Sequence, residues 1–156
     1  MKSCITLSLV PSLKGGPWVL WNDLENGIKQ AASLGFDAIE LFTDKPNIGP
    51  PSQLKELLSE NNITLGAVGT GAGKVIHGLT LTHPDEDIRQ KAISFIEEMI
   101  DFGAENNAPA IIGSMQGGYE GETTRKQALQ WLAEGLEALG SHAQSKGVEL
   151  IYEPLN

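Results

Sequence analysis

Val148-Glu149-Leu150-Ile151-Tyr152-Glu153-Pro154-Leu155-Asn156 is the stretch that decides the fold. Its apolar run reads as a short strand. The strand hands over to a carboxylate, Glu153, and then to Pro154, which cannot donate to a sheet ladder. Parallel sheets bind ligands beyond the C-terminal ends of their strands. Glu153 therefore stands where such a strand presents a side chain to a ligand. No final helix follows to cover this strand. The chain reads as the front part of a larger barrel enzyme, or as an assembly completed by a second copy.

The same alternation extends back to the first residues. Ile5 to Val10 reads as strand one, rich in β-formers and closed by Pro11. Asn22 with Glu25 looks like a capping box for a helix whose buried face is Leu24, Ile28, Ala31 and Ala32, with Gly35 as its stop. Phe36 to Phe42 is strand two. Ser52 can cap a short helix carrying Leu54, Leu57 and Leu58, ended by Asn61-Asn62. Strand three, Ile63 to Val68, runs into a glycine-rich loop, Gly69 to Lys74. Pro84 suits the first position of the next helix, and Asp85, Glu86 and Asp87 suit the positive end of its dipole. Ile88, Ala92, Phe95, Met99 and Phe102 give that helix its apolar face. Pro109 to Gly113 is strand four. Thr124 with Gln127 is a second capping box, for a helix with Leu129, Leu132, Leu136, Leu139 and Ala143 as its buried face and Gly147 as its stop.

The order β-α-β-α-β-α-β-α-β implies an α/β fold with a parallel sheet and right-handed crossovers. A doubly wound sandwich and part of an eight-fold barrel both satisfy it. The strand tips favour the barrel. Ser8, Glu40, Thr70, Ser114 and Glu153 place a polar group near the C-terminal end of every strand. A barrel gathers those ends into one mouth, whereas an open sheet spreads them along an edge. The expectation is a single domain over residues 1–156, a partial TIM (βα)8 barrel of about four and a half βα units.

Composition narrows the function. A chain of 156 residues with 40% hydrophobic and 20% charged residues is ordinary for a soluble globular domain. A formal charge of −9 repels phosphate backbones and anionic lipid, so neither nucleic acid nor membrane is expected as a partner. One cysteine, Cys4, permits no intrachain disulfide and agrees with a cytoplasmic location. Met1 to Val10 alternates polar and apolar residues and is not read as a signal peptide.

Several motifs have plain readings. The run after strand three is not a phosphate loop, because Val68 and Val75 occupy positions that need glycine and Ser or Thr. It is not a dinucleotide fingerprint either, since Lys74 stands where Gly or Ala is required. A flexible loop over a site is the simpler reading. His77, His83 and His142 do not pair at metal-ligand spacing. Nothing cationic stands beside Cys4 to activate its thiol. Trp18 and Trp21 follow strand one; they can wall a sugar ring or pack on the first helix. Glu40 and Glu153 are costly at strand ends unless they meet water, a cation or a donor. Hard cations and general-base chemistry both use such a carboxylate.

Tyr152-Glu153-Pro154-Leu155-Asn156 resembles the start of the Glu-Pro-Leu-Asn-Arg motif of sugar isomerases and epimerases with a xylose isomerase-like barrel. Gly35 to Glu40 resembles that family's entrance to strand two. Leu81-Thr82, Pro84-Asp85 and Arg89 resemble the start of its third helix. The likeness runs along essentially the whole chain and covers about the first half of a family member. It implies metal-assisted proton transfer on a ketose or hydroxy-ketone through an enediolate. One divalent cation (Mn, Co, Mg or Zn) is implied at the mouth, with Glu153 as a ligand that doubles as acid/base. The other ligands, an aspartate, a histidine and a second glutamate, come from strands six to eight, so a single copy of this chain is expected to be inactive. Trp18, Trp21, Thr70 and Ser114 would line the pocket for a small-molecule sugar. A homo-oligomer through exposed strand edges is expected. Two other readings remain: a non-catalytic self-associating half-barrel or sugar-binding module, and a metal-dependent DNA-repair endonuclease relative, which the acidic charge disfavours.

Overall fold

The computed structural model describes residues 2–15, 20–21, 23–119, 121 and 123–155. Five strands, β1 (Cys4–Ser8), β2 (Ala38–Phe42), β3 (Thr64–Gly69), β4 (Ala110–Ile112) and β5 (Leu150–Tyr152), form one sheet in the order β1-β2-β3-β4-β5. Every neighbouring pair is parallel. A doubly wound sheet reverses its strand order at a switch point, whereas a barrel adds each strand beside the last. This sheet never reverses. It is a partial (βα)8 barrel, as the polar strand tips suggest.

The helices are α1 (Leu24–Ser33), α2 (Pro51–Glu60), α3 (Ala72–His77), α4 (Glu86–Glu105) and α5 (Arg125–Lys146). Alternate strand residues pack against them. Leu7, Ile39, Leu41, Leu65 and Val68 meet Ile28 and Ala31 of α1, Leu54, Leu57 and Leu58 of α2, and Met99 of α4. Farther along, Ala110 and Ile112 meet Ile96 and Ile100 of α4 and Leu139 and Ala143 of α5. Gly27 lets α1 approach β1: a side chain there would collide with Leu7.

Some helix boundaries differ from the sequence reading. Asn22 lies outside the described residues, and the cap of α1 is Asp23, whose carboxylate accepts from the Asn26 amide at 2.9 Å. In α2, Pro51 takes the first helical position and Ser52 lies inside the helix. Proline loses nothing there, because its missing N–H would have no partner. For α4 the cap is Asp85, accepting from Asp87 N at 2.9 Å, so Pro84 precedes the helix. The buried line of α4 is Ala92, Ile96, Met99, Ile100 and Gly103; Ile88, Phe95 and Phe102 are only partly covered. Thr124 and Gln127 form the expected capping box, and Gly147 ends α5 at φ 73°. Leu129 of α5 is 50% exposed rather than buried, because it borders an open groove with Tyr152 and Leu155.

The glycine-rich loop expected after strand three contains α3. Thr70 O accepts from Gly73 N at 2.9 Å, and Gly71 O from Lys74 N at 3.2 Å. Gly73 allows close packing on Met115 and Phe95, and Gly78, at φ 68°, terminates the helix. Tertiary contact outweighs the weak helix propensity of this stretch.

Candidate active site at the strand tips

Residues that point away from the helices line the concave inner face. Register places Thr6 beside Glu40 and Ser8 beside Phe42. Between β2 and β3 the pairing shifts at Ile39/Glu40, leaving Gly66 as the extra residue of a bulge. Bulges re-aim neighbouring side chains. At the C-terminal ends a cavity of about 380 Å3 is lined by Thr6, Glu40, Phe42, Gly69, Thr70, Ile111, Gly113, Ser114 and Glu153, among others.

Glu153 is held by its backbone. Its N–H donates to Ile112 O at 2.9 Å, extending the β4–β5 pairing by one residue. The side chain lies against Gly113, where an added Cβ would sit 3.1 Å from Oε2. Glu153 is exposed to the mouth. Among the described residues no hydrogen-bond donor reaches its carboxylate, which leaves it free for a cation, water or substrate.

Glu40 is the second carboxylate of the mouth. It is half-buried, and Oε2 accepts from Thr6 Oγ1 at 3.4 Å. Burial pushes its pKa up, the Thr6 hydroxyl pulls it back, and the negative charge of Glu153 pushes it up again. An added Cβ on Gly69 would lie 3.0 Å from Glu40 Oε1, so glycine keeps that side of the carboxylate clear. Lower on the inner face, partial burial and the Glu40 charge raise the Cys4 pKa, which disfavours a reactive thiolate.

Thr70 and Ser114 both line the cavity. Thr70 is fully buried, and its hydroxyl donates to Ile111 O at 2.8 Å, tying β3 to β4. Ser114 opens a 3-10 turn, Ser114–Gln116, and its Oγ lies 3.4 Å from Gly71 O. Trp21 is half-buried just after the Leu7–Leu20 bridge and is not among the described residues lining the cavity. Trp18 lies outside the described residues. Ser8 is buried; its hydroxyl accepts from Val10 N at 3.3 Å rather than reaching the cavity. Thr6 is not among the residues the sequence marks as a site, yet its pairing with Glu40 makes it part of the floor. The polar alternation Thr6, Ser8 on strand one was the available signal.

A larger groove of about 520 Å3 adjoins the cavity and shares Ser114 and Leu155 with it. Its walls include Lys74, Gln116, Arg125, Leu129 and Tyr152, and Tyr152 donates to Gln116 Oε1 at 2.5 Å. No described carboxylate or histidine lines this groove. The smaller cavity is the one lined by the two carboxylates, Glu40 and Glu153.

Glu153 fits a cation: it is an exposed carboxylate without a donor among the described residues, in a mouth that a second carboxylate, Glu40, also lines. Among the described residues, however, no group of three His, Cys, Asp or Glu could hold a metal. The histidines are engaged elsewhere. His77 Nε2 lies 3.2 Å from Asp44 O, His83 Nδ1 accepts from Asp85 N at 3.0 Å, and His142 Nε2 lies 2.7 Å from Asp101 Oδ1. This chain's described residues thus offer a partial ligand set.

A family model described as xylose isomerase-like TIM barrel matches residues 28–156. A fructoselysine 3-epimerase of Shigella flexneri is 27% identical over 140 residues, covering 85% of this chain and 49% of that protein. The chain spans about half the length of the curated relatives it matches. Among solved structures, a D-psicose 3-epimerase determined in the presence of D-fructose superposes with a TM-score of 0.73 at 18% identity, over 100% of this chain and 53% of that one. An AP endonuclease, family 2, from Brucella melitensis superposes with a TM-score of 0.70 at 18% identity, over 100% of this chain and 56% of that one. At these identities the structural likeness shows the fold alone.

Proposed function

Because the chain belongs to the xylose isomerase-like TIM barrel family, we propose that it serves a sugar isomerase or epimerase acting on a ketose or hydroxy-ketone. The observation carrying this reading is Glu153, a carboxylate at the tip of β5 with no donor among the described residues, inside the mouth that Glu40 also lines. Fructoselysine 3-epimerases among the curated relatives support the substrate class.

Epimerisation next to a carbonyl removes a proton from carbon and returns one, leaving an enediolate between the two events. Glu153 is the group on this chain to hold or move that proton, because its carboxylate is exposed and its backbone is fixed by Ile112 O. Thr70 and Ser114 hold the mouth in shape through their bonds to Ile111 and Gly71. A divalent cation (Mn, Co, Mg or Zn) bound through Glu153 would polarise the carbonyl and lower the cost of the enediolate charge. Its further ligands and the second acid/base would come from strands beyond the five described. A single copy of these residues is therefore expected to be inactive alone.

A small-molecule sugar is the proposed partner. The formal charge of −9 and the two carboxylates in the mouth favour it over a nucleic-acid phosphodiester. Self-association through the open edges of β1 and β5 is proposed as well, supported by the exposed Ile151, Tyr152 and Leu155 at the β5 edge. Among the described residues no helix is long and apolar enough to cross a membrane. A cytoplasmic location is proposed, consistent with the single cysteine.

The test uses the longest reading frame that carries this chain, incubated in deuterium oxide with manganese and a panel of free ketoses. Deuterium should enter the carbon next to the carbonyl, and a chelator should stop the exchange. Absence of exchange with every ketose would overturn the proposal.

A further inference from the structure

Two adjoining compartments carry opposite charge. The cavity at the strand tips is lined by Glu40 and Glu153. The groove of about 520 Å3 beside it is lined by Lys74 and Arg125 and by no described carboxylate. The two share Ser114 and Leu155, so a ligand seated in one can extend into the other. Lys74 belongs to α3 and Arg125 opens α5, so two separate elements bring these cations to one groove. Both are exposed, and among the described residues neither has an ion pair. Glu120 and Glu122, the acids nearest Arg125 in sequence, lie outside the described residues. Gln116 adds a neutral donor: its Oε1 accepts from Tyr152, and its amide nitrogen has no partner among the described residues. Leu129, Leu132, Tyr152 and Leu155 give the groove an apolar stretch.

Such a groove selects a ligand with two properties. Cations without partners favour an oxyanion, which lysine holds as a point charge and arginine as a fork. An apolar stretch favours a hydrocarbon arm, because burying it removes apolar surface from water. A divalent cation on Glu153 would draw the carbonyl end of a substrate into the cavity and leave the charge of the groove as it is. We propose that the groove is a second substrate compartment, holding a carboxylate at the end of an apolar substituent of the ketose, with Lys74 and Arg125 as its anion-binding residues. This rests on the sugar isomerase or epimerase reading above and names its substrate class more closely, as ketoses joined to an acidic arm. Lys74 and Arg125 hold the far end of the substrate, so both should act on KM more than on kcat.

The experiment uses the longest reading frame carrying the chain, loaded with manganese. One probe is the adduct of fructose with ω-aminohexanoic acid. The second is the corresponding amide, which keeps the arm and lacks the charge. D-Fructose is the third and reports on the proposed function by itself. Binding calorimetry, KM and kcat are compared for wild type, Lys74→Met, Arg125→Gln and the double variant. Wild type should bind the acid about tenfold more tightly than the amide, the scale of a hydrogen bond to a charged group. The preference should shrink as salt is raised. Each single variant should cut it about threefold, as expected for one exposed ion pair, and the double variant should bring acid and amide to parity. Manganese affinity should be unchanged throughout, with thermal unfolding confirming that each variant is folded. Equal wild-type affinity for acid and amide would overturn the inference while leaving the proposed function standing. A preference that survives in the double variant would do the same, since the attraction would then come from the metal in the mouth. A wild type that binds and exchanges none of the three probes would sink the proposed function, and this inference with it.

Discussion

The two faces of the sheet are built from the same strands and have opposite characters. On the outer face Leu7, Ile39, Leu41, Val68 and Ile112 are fully buried under helices. On the inner face Thr6, Glu40, Ile111 and Glu153 are polar or incompletely covered, interspersed with Ala38, Gly66 and Gly69. Neighbours along a strand differ because side chains alternate every residue. Ile39 and Glu40 are the sharpest pair: one is wholly dry, the next faces a cavity. Stability is therefore expected to reside on one face and the proposed chemistry on the other, and substitutions should separate the two.

The largest effect is expected on the inner face. Glu153→Gln keeps the shape and the backbone bond to Ile112 but removes the charge and the basic oxygen. Turnover by the full reading frame should fall about a thousandfold, the scale of general acid–base catalysis. Stability should move by less than about 0.5 kcal/mol, since the residue is exposed. Retained turnover, measured by deuterium exchange, would remove Glu153 from the mechanism.

The outer face should answer in the reverse sense. Leu7 is fully buried above Gly27. Leu7→Ala should cost about 3 kcal/mol in a urea titration, from lost burial and the cavity left behind. A smaller loss is expected at the N-terminus of α5. Thr124→Ala removes the acceptor for Gln127 N and should cost about 1 kcal/mol. If Leu7→Ala proved as mild as Thr124→Ala, the division of labour between the faces would be wrong.

The same division explains what could be read from sequence. Outer-face burial leaves a periodic signature, so all five strands and four of the five helices are visible in it. Caps with local chemistry, such as Thr124–Gln127 and Gly147, are visible too. At α1 two good capping residues stand side by side, Asn22 and Asp23, and propensity does not choose between them. Helix α3 has no local signature, because what marks it is tertiary: Gly73 leaves room for Met115 and Phe95. Leu129 has the spacing of a buried residue, but it borders an open groove with Tyr152 and Leu155 and stays half exposed. On the inner face, Glu153 is legible because an apolar strand and a proline frame it. The partnership of Thr6 with Glu40 is not legible, since it spans 34 residues and depends on strand register.

The smallest expected effect tests whether the inner face gives up stability to keep its carboxylates. Burial and Glu153 raise the folded-state pKa of Glu40 above its ordinary 4.5. The folded protein therefore binds this proton more tightly than the unfolded chain. The stabilisation this gives is fully present below about pH 4.5 and is lost as pH rises through the folded value. At neutral pH the charged Glu40 is a small burden that Glu40→Gln should lift. With chelator present, the variant should melt on the order of 2 °C higher at pH 7, and the gap should close towards pH 4. A gap that stays constant from pH 4 to pH 7 would show that Gln differs from Glu here by packing rather than charge. A lower melting temperature at every pH would mean that the bond from Thr6 outweighs the repulsion from Glu153, and that this carboxylate belongs to the stabilising face after all.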